Sequence, residues 1–231
     1  MATDSPAGKV LFEDHFLGKV LDVTNWWTGR SDTGGTTPVI LLRHGGVVQM
    51  GNDGTDGDIT SLAGNVNFRA NAGGGLTFEA RVQLVTSIAD GETFVGLSDD
   101  SATDEVPLTL TTTDTYETTP ADSAVGFCYT GGGTADWKAA ASNATANVTA
   151  VRCNNGGKVT TPVLTEYQTL KIVVNEDGDA DFYINGAWHA RLDAAIPAAT
   201  LMCPHFDIVG GGTARSMYID YVDIVAGRAT T

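Results

Sequence analysis

The chain has 231 residues, 42% of them hydrophobic, and 28 glycines scattered without a period. That is enough apolar material for a core and too irregular a pattern for a collagen-like fibre or a linker. Twenty-eight acidic residues against 13 basic ones leave a formal charge of −15. A surface of that sign repels phosphate backbones and anionic lipid, which argues against nucleic acid and membrane as partners.

Further exclusions follow from particular residues. Of the acids, 21 are Asp and seven are Glu, and Asp favours the turns and caps of a loop-rich β protein. Cys128, Cys153 and Cys203 are too few and too scattered for a disulfide framework or a zinc signature, and read as buried thiols. The opening Met1-Ala-Thr-Asp-Ser-Pro6 has neither the basic nor the apolar region of an export signal. No apolar run approaches the ~18 residues of a membrane span. Synthesis in a cytoplasm without export is therefore expected.

In chain order, Val10 to Phe16 reads as a first strand and Leu21 to Trp27 as a mixed segment ending in paired tryptophans. Val39 to Leu42 and Val47 to Met50 form a hairpin around His44-Gly45-Gly46. Asn52 to Asp58 is an oxygen-rich loop, followed by short strands at Ile59 to Leu62 and Val66 to Ala70. In the longest strand, Phe78, Ala80, Val82 and Leu84 alternate with Glu79, Arg81 and Gln83, so one face is buried and the other wet. Strands follow at Thr93 to Leu97, Val125 to Tyr129 and Thr145 to Cys153. Between them, residues 98–124 form a polar, acidic, Thr-rich insertion. Leu170 to Leu192 reads as a three-stranded meander. Gly178 sits in its first turn, and its second, Asn185-Gly186, is a type I′ signal that needs φ > 0 at both residues. Ala194 to Thr200 is the one place for a helical turn. Strands at Met202 to Val209 and Ser216 to Ala226 close the chain. About fourteen short strands at this spacing predict an all-β sandwich in a single domain, 1–231.

The opening Leu11-Phe-Glu-Asp-His-Phe16, Leu21-Asp22 and Trp26-Trp27 resemble the start of concanavalin A-like lectin/glucanase domains, which include the family 16 glycoside hydrolases. Met217-Tyr-Ile-Asp-Tyr-Val-Asp-Ile224 is similar to their closing strand, and Phe182-Tyr-Ile-Asn-Gly186 to a hairpin of laminin-G-like members. The resemblance spans the frame of the chain and implies a two-sheet antiparallel jelly roll with a concave and a convex face. In the hydrolases of this family, a Glu-Asp-Glu signature puts nucleophile and acid/base on one face of one strand. None of the seven glutamates here has a partner at the required spacing. Asp220 and Asp223, three apart on one strand, are expected on opposite faces.

The resemblance and the residues together leave three readings. The first is a non-enzymatic virion structural or decoration protein of a phage particle, acting through contacts with other virion proteins or with its own copies. The alternative is a carbohydrate-binding module for host or environmental glycans. A glycoside hydrolase comes third, because the carboxylate pair is missing. The candidate sugar-stacking residues are Trp188, Trp26, Trp27 and Trp137, with Trp188 closest to a surface because it follows the Asn185-Gly186 turn. Asp53, Asp56 and Asp58 are the candidate ligands of a hard cation, Ca²⁺, although the loop does not follow the EF-hand pattern. His15, His44, His189 and His205 share no catalytic spacing.

Overall fold

The computed structural model describes residues 2–4, 9–30, 35–41, 45–65, 67–86, 91–100, 106–108, 123–131, 136–144, 147–155, 158–159 and 161–227. These contain strands and no helix. In order they are β1 (Ala2–Asp4), β2 (Lys9–Asp14), β3 (Trp26–Arg30), β4 (Gly35–Leu41), β5 (Val47–Asn52), β6 (Ile59–Gly64), β7 (Leu76–Leu84), β8 (Glu92–Ser98) and β9 (Ser123–Thr130). The second half adds β10 (Lys138–Asn143), β11 (Asn147–Arg152), β12 (Asn154–Asn155), β13 (Lys158–Val159), β14 (Gln168–Val174), β15 (Ala180–Ile184), β16 (Ala187–Leu192), β17 (Cys203–Val209) and β18 (Ser216–Gly227).

A nine-stranded sheet has the order β1-β2-β18-β7-β14-β15-β16, with β5 joined to β18 and β4 to β5. A seven-stranded sheet has the order β11-β10-β9-β8-β17-β6-β3. The two sheets form an all-β sandwich, as the strand spacing predicts, with the jelly-roll arrangement of concanavalin A-like type that the resemblance implies. The alternation in β7 sends Leu76, Phe78, Ala80, Val82 and Leu84 inward, and β14 and β15 do the same with Leu170, Ile172, Val174, Phe182 and Ile184. Opposite them lie Val95, Leu97, Phe127, Tyr129, Phe206 and Ile208 of the seven-stranded sheet. Burying each of the Val, Leu, Ile and Phe side chains among these is worth about 1.5–3 kcal/mol.

The meander forms as expected. Asn185 and Gly186 both have positive φ, 50° and 78°, which matches the twist of the flanking strands. Gly178 has φ 93°, and a Cβ there would stand 2.0 Å from the Ile196 carbonyl oxygen.

Two local expectations are corrected. Of the strand placed at Val66 to Ala70, the described residues hold a bridge between Phe68 and Met202, and Val66 lies outside them. The mixed segment from Leu21 is a strand from Trp26 on. Before it, Asp22 closes a turn, its carboxylate accepting from the Thr24 N–H and its carbonyl from the Asn25 and Trp26 N–H groups. Ala194 to Thr200 is a run of turns instead of a helical one. Of the 98–124 insertion, residues 101–105 and 109–122 lie outside the described residues, as do 42–44 of the early hairpin. Val106 and Leu108 are buried in a second small apolar cluster with Phe94, Ala124, Cys128 and Ala140, on the outer face of the seven-stranded sheet.

Candidate functional site

The outer face of the nine-stranded sheet carries a row of partly or well exposed polar and aromatic side chains. Register lines six of them up across six adjacent strands. Glu13 of β2 stands opposite Asp223 of β18, Asp223 opposite Glu79 of β7, and Glu79 opposite Lys171 of β14. Lys171 stands opposite Tyr183 of β15, and Tyr183 opposite Trp188 of β16. Directly opposed side chains on antiparallel strands have Cβ atoms about 4.5–5.5 Å apart, so neighbours in this row lie side by side.

Two β-bulges create the face. Between β15 and β16, Phe182 pairs with Ala190, but Tyr183 then pairs with Trp188, which leaves His189 as an extra residue. Without that residue Trp188 would fall opposite Ile184 and point into the core. The bulge turns Trp188 outward beside Tyr183. Between β7 and β18, Ile219 pairs with Val82 and Tyr221 with Arg81, so Asp220 is the extra residue. Asp220, Tyr221 and Asp223 are all partly exposed, with Ile219 and Val222 buried on either side. This corrects the expectation that Asp220 and Asp223 lie on opposite faces: strict alternation fails at the bulge.

Contacts within the face hold each group in place. The Trp188 indole Nε1–H donates to Asp181 Oδ1 at 3.1 Å, and Trp188 remains 47% exposed. Arg191 is held by Asp179 at 2.7 Å, Asp181 at 3.1 Å and Asp193 at 3.0 Å. Arg81 pairs with Asp220 at 2.5 Å and lies 4.5 Å from the centre of the Tyr167 ring. Glu79 accepts from the Tyr221 hydroxyl at 2.9 Å and meets Lys171 at 3.5 Å. Burial raises the Tyr221 hydroxyl to about 12, with the Glu79 hydrogen bond adding to it. Burial also raises the pKa of Asp223, against the lowering effect of His15 and with smaller raising effects from Glu13 and Glu79. Glu13 and His15 line a cleft of about 580 Å³ that continues this end of the row towards Leu17, Asp22 and Asn25.

Of the four tryptophans expected to stack on sugar, the structure keeps Trp188 as an exposed candidate and corrects two. Trp26 is 2% exposed, wedged against Phe12 and Phe16, with its Nε1–H donating to Asp14 at 2.6 Å. Trp137 is fully buried against Phe127 and Tyr129, with its Nε1–H donating to Gln168. Both indoles satisfy their N–H inside the core, which leaves no face for a ligand. Trp27, one residue on from Trp26, is half-buried on β3 at the edge of the other sheet, opposite Ala63.

The cation site expected at Asp53, Asp56 and Asp58 is not assembled. Asp53 and Asp56 are exposed, and Asp58 is buried. Asp53 accepts from the Thr55 N–H, the main reason its pKa is lowered. Among the described residues no group of three or more His, Cys, Asp or Glu side chains is placed to hold a metal ion.

The seven-stranded sheet carries a different polar set, and it is sealed. On β17, His205 and Asp207 point away from the core residue Phe206, and both are fully buried. The His205 Nε2 is 3.1 Å from Asp207 Oδ2, its Nδ1 is 3.1 Å from the Asp100 carbonyl oxygen, and Ser61 Oγ donates to Asp207. Both ring nitrogens thus face acceptors, which suits an imidazolium. Burial works against that charge, but Asp207 outweighs it and raises the pKa to about 10. With Ser61 and His205 both bonded to the carboxylate and closed off from solvent, this set is a buried ion pair and no nucleophile–base relay. All three cysteines are buried free thiols, as expected.

No protein-family model matches the chain, and no curated protein matches it significantly. Solved structures do share its fold. One is an endo-acting O-glycanase from human gut microbiota, from work on mucin breakdown; its TM-score is 0.66 at 13% identity, over 93% of this chain and 98% of the other. The Bacillus licheniformis β-glucanase has a TM-score of 0.62 at 10% identity, over 94% and 98%. The Emp47p carbohydrate recognition domain has a TM-score of 0.62 at 12% identity, over 96% of each chain. At these identities the likeness is one of fold. It corrects the expectation of a non-enzymatic virion structural or decoration protein with virion partners, because these neighbours are glycan hydrolases and a lectin-type domain.

Proposed function

We propose that this chain is a carbohydrate-active protein that engages glycan on the outer face of the nine-stranded sheet. The observation that carries the reading is the Tyr183–Trp188 pair, turned outward by a bulge and set at one end of a polar row. Sugar rings present apolar C–H faces and hydroxyl edges. An exposed indole beside a phenol ring receives the former, and Asp181, Glu79, Asp223 and Glu13 accept from the latter. The glycan hydrolases and the carbohydrate recognition domain among the fold neighbours support the same reading.

Hydrolysis of the bound glycan is the second reading, favoured by one observation. Asp223 stands directly opposite Glu79, at a Cβ separation of about 4.5–5.5 Å. Retaining glycoside hydrolysis needs carboxyl groups about 5–5.5 Å apart, one of them kept protonated. Asp223, with its raised pKa, suits the proton donor, and Glu79, held by Tyr221 and Lys171, suits the partner carboxylate. The test is affinity electrophoresis in polysaccharide gels together with a reducing-end assay. Trp188→Ala and Tyr183→Ala should each abolish retardation, and Asp223→Asn, which keeps a polar group at that end of the row, should abolish any release of reducing ends while weakening retardation only in part. Retardation unaffected by either aromatic substitution would refute the site.

A further inference from the structure

The charges on this face define the kind of glycan it takes, given the proposal that it takes one. Among the described residues three cations stand in the row or directly beside it, and each is already paired. Arg81 is paired with Asp220, Lys171 with Glu79, and Arg191 with three carboxylates at once. Asp223 and Glu13, at the far end from Trp188, face one another across β18 and β2. His15 stands at this end as well, its ring 5.8 Å from that of Tyr221. Among the described residues the row is thus rich in acceptors, and the cations beside it are already paired and offer no surplus charge to a sulfate, a sialic acid or a uronic acid; Lys9, exposed on β2, stands four residues from Glu13 and off the row. An anionic sugar group would have to displace a carboxylate from one of these pairs or sit against Glu13, Asp223 and Glu79. The net charge of −15 adds long-range repulsion before contact.

The shape of the row sets the second property. Six adjacent strands about 4.8 Å apart give a row about 24 Å long, running across the strands from Trp188 to Glu13. A monosaccharide would cover only one end of it. We propose that the face selects an extended, uncharged glycan chain lying across the strands, with its stacked end on Trp188 and Tyr183 and its hydroxyl-donating end on the Glu79–Asp223–Glu13 carboxylates.

Calorimetric titration of the full chain tests this with neutral gluco-oligosaccharides from disaccharide to hexasaccharide, and with heparin and oligogalacturonate fragments of the same lengths. Affinity for the neutral series should rise at least tenfold with length, and at low salt the anionic sugars should bind at least about fivefold more weakly, the scale of one unfavourable charge contact at about 4 Å in water. Glu79→Gln, which releases Lys171, should narrow that gap. Asp193→Asn, which removes the most exposed carboxylate on Arg191, should narrow it less and serves if Glu79→Gln unfolds. Anionic fragments binding as well as neutral ones, in a Trp188-dependent way, would overturn the selection while leaving the glycan site standing. Saturation by the disaccharide would overturn the extended mode. No binding by any sugar would overturn both the selection and the glycan reading beneath it.

Discussion

Replacing Trp188 by Ala removes the aromatic end of the row, and the cost follows from its exposure. A Trp side chain buries about 150–250 Å² when fully covered. With 47% of it open to solvent, roughly 100 Å² remains for a ligand to cover, worth about 2.5 kcal/mol at about 25 cal/mol per Å². That corresponds to a loss of about 60-fold in affinity for a neutral hexasaccharide. Trp188→Phe keeps a ring and loses the hydrogen bond to Asp181, so it should fall between the two. Isothermal titration reads the affinity, and near-UV and far-UV circular dichroism confirm that the sandwich is intact. If the alanine variant is folded and its dissociation constant moves less than about twofold, the stacking argument is wrong.

The buried ion pair predicts how stability depends on pH. The folded pKa of His205 is raised to about 10, above its unfolded value near 6.5, so its contribution is complete below about pH 6.5 and disappears as pH climbs through 10. Urea titrations between those limits should show a falling unfolding free energy. Asp207→Asn, which strips the imidazolium of its partner, should cost about 3–5 kcal/mol and flatten that alkaline slope. Gly178→Ala combines a positive φ with a Cβ 2.0 Å from a carbonyl oxygen; denaturant melts should register a loss of more than about 2 kcal/mol. Burial raises the Cys128 thiol pKa strongly and pushes Cys153 up to about 12, so a thiol-specific chromogenic reagent should label the folded protein negligibly and label it fully in guanidinium.

The frame of this protein was legible because it rests on local chemistry. Alternation in Leu76–Leu84 fixed one strand and its wet face, and Asn185-Gly186 fixed a hairpin through a φ requirement that few residue pairs meet. The fate of the tryptophans was not legible. Trp26 and Trp27 are adjacent and chemically identical, and they diverge because successive residues of a strand point to opposite faces. Trp26 ends beneath Phe12 and Phe16 because Asp14 accepts its N–H there, and that partner lies twelve residues away. The acidic loop at Asp53 to Asp58 misled for a related reason: density of carboxylates along a chain says nothing about whether they converge, and Asp58 turns inward while Asp53 satisfies the Thr55 N–H.

The candidate site depends on a kind of information that periodicity hides. Each of the two bulges inserts one residue, and each resets the parity of everything beyond it. Extending the alternation of β16 back from Leu192 sends Trp188 inward, and extending that of β18 separates Asp220 from Asp223. In the structure the first places an indole beside Tyr183, and the second sets Asp220 on Arg81 while leaving Asp223 free to face Glu79. A jelly roll needs neither feature to close its sheets, since the register on both sides of each bulge is regular. Bulges disrupt a ladder locally and leave a residue unpaired; further ones lie between β4 and β5 and between β10 and β11, and these two are the ones that decide which side chains the row on this face presents.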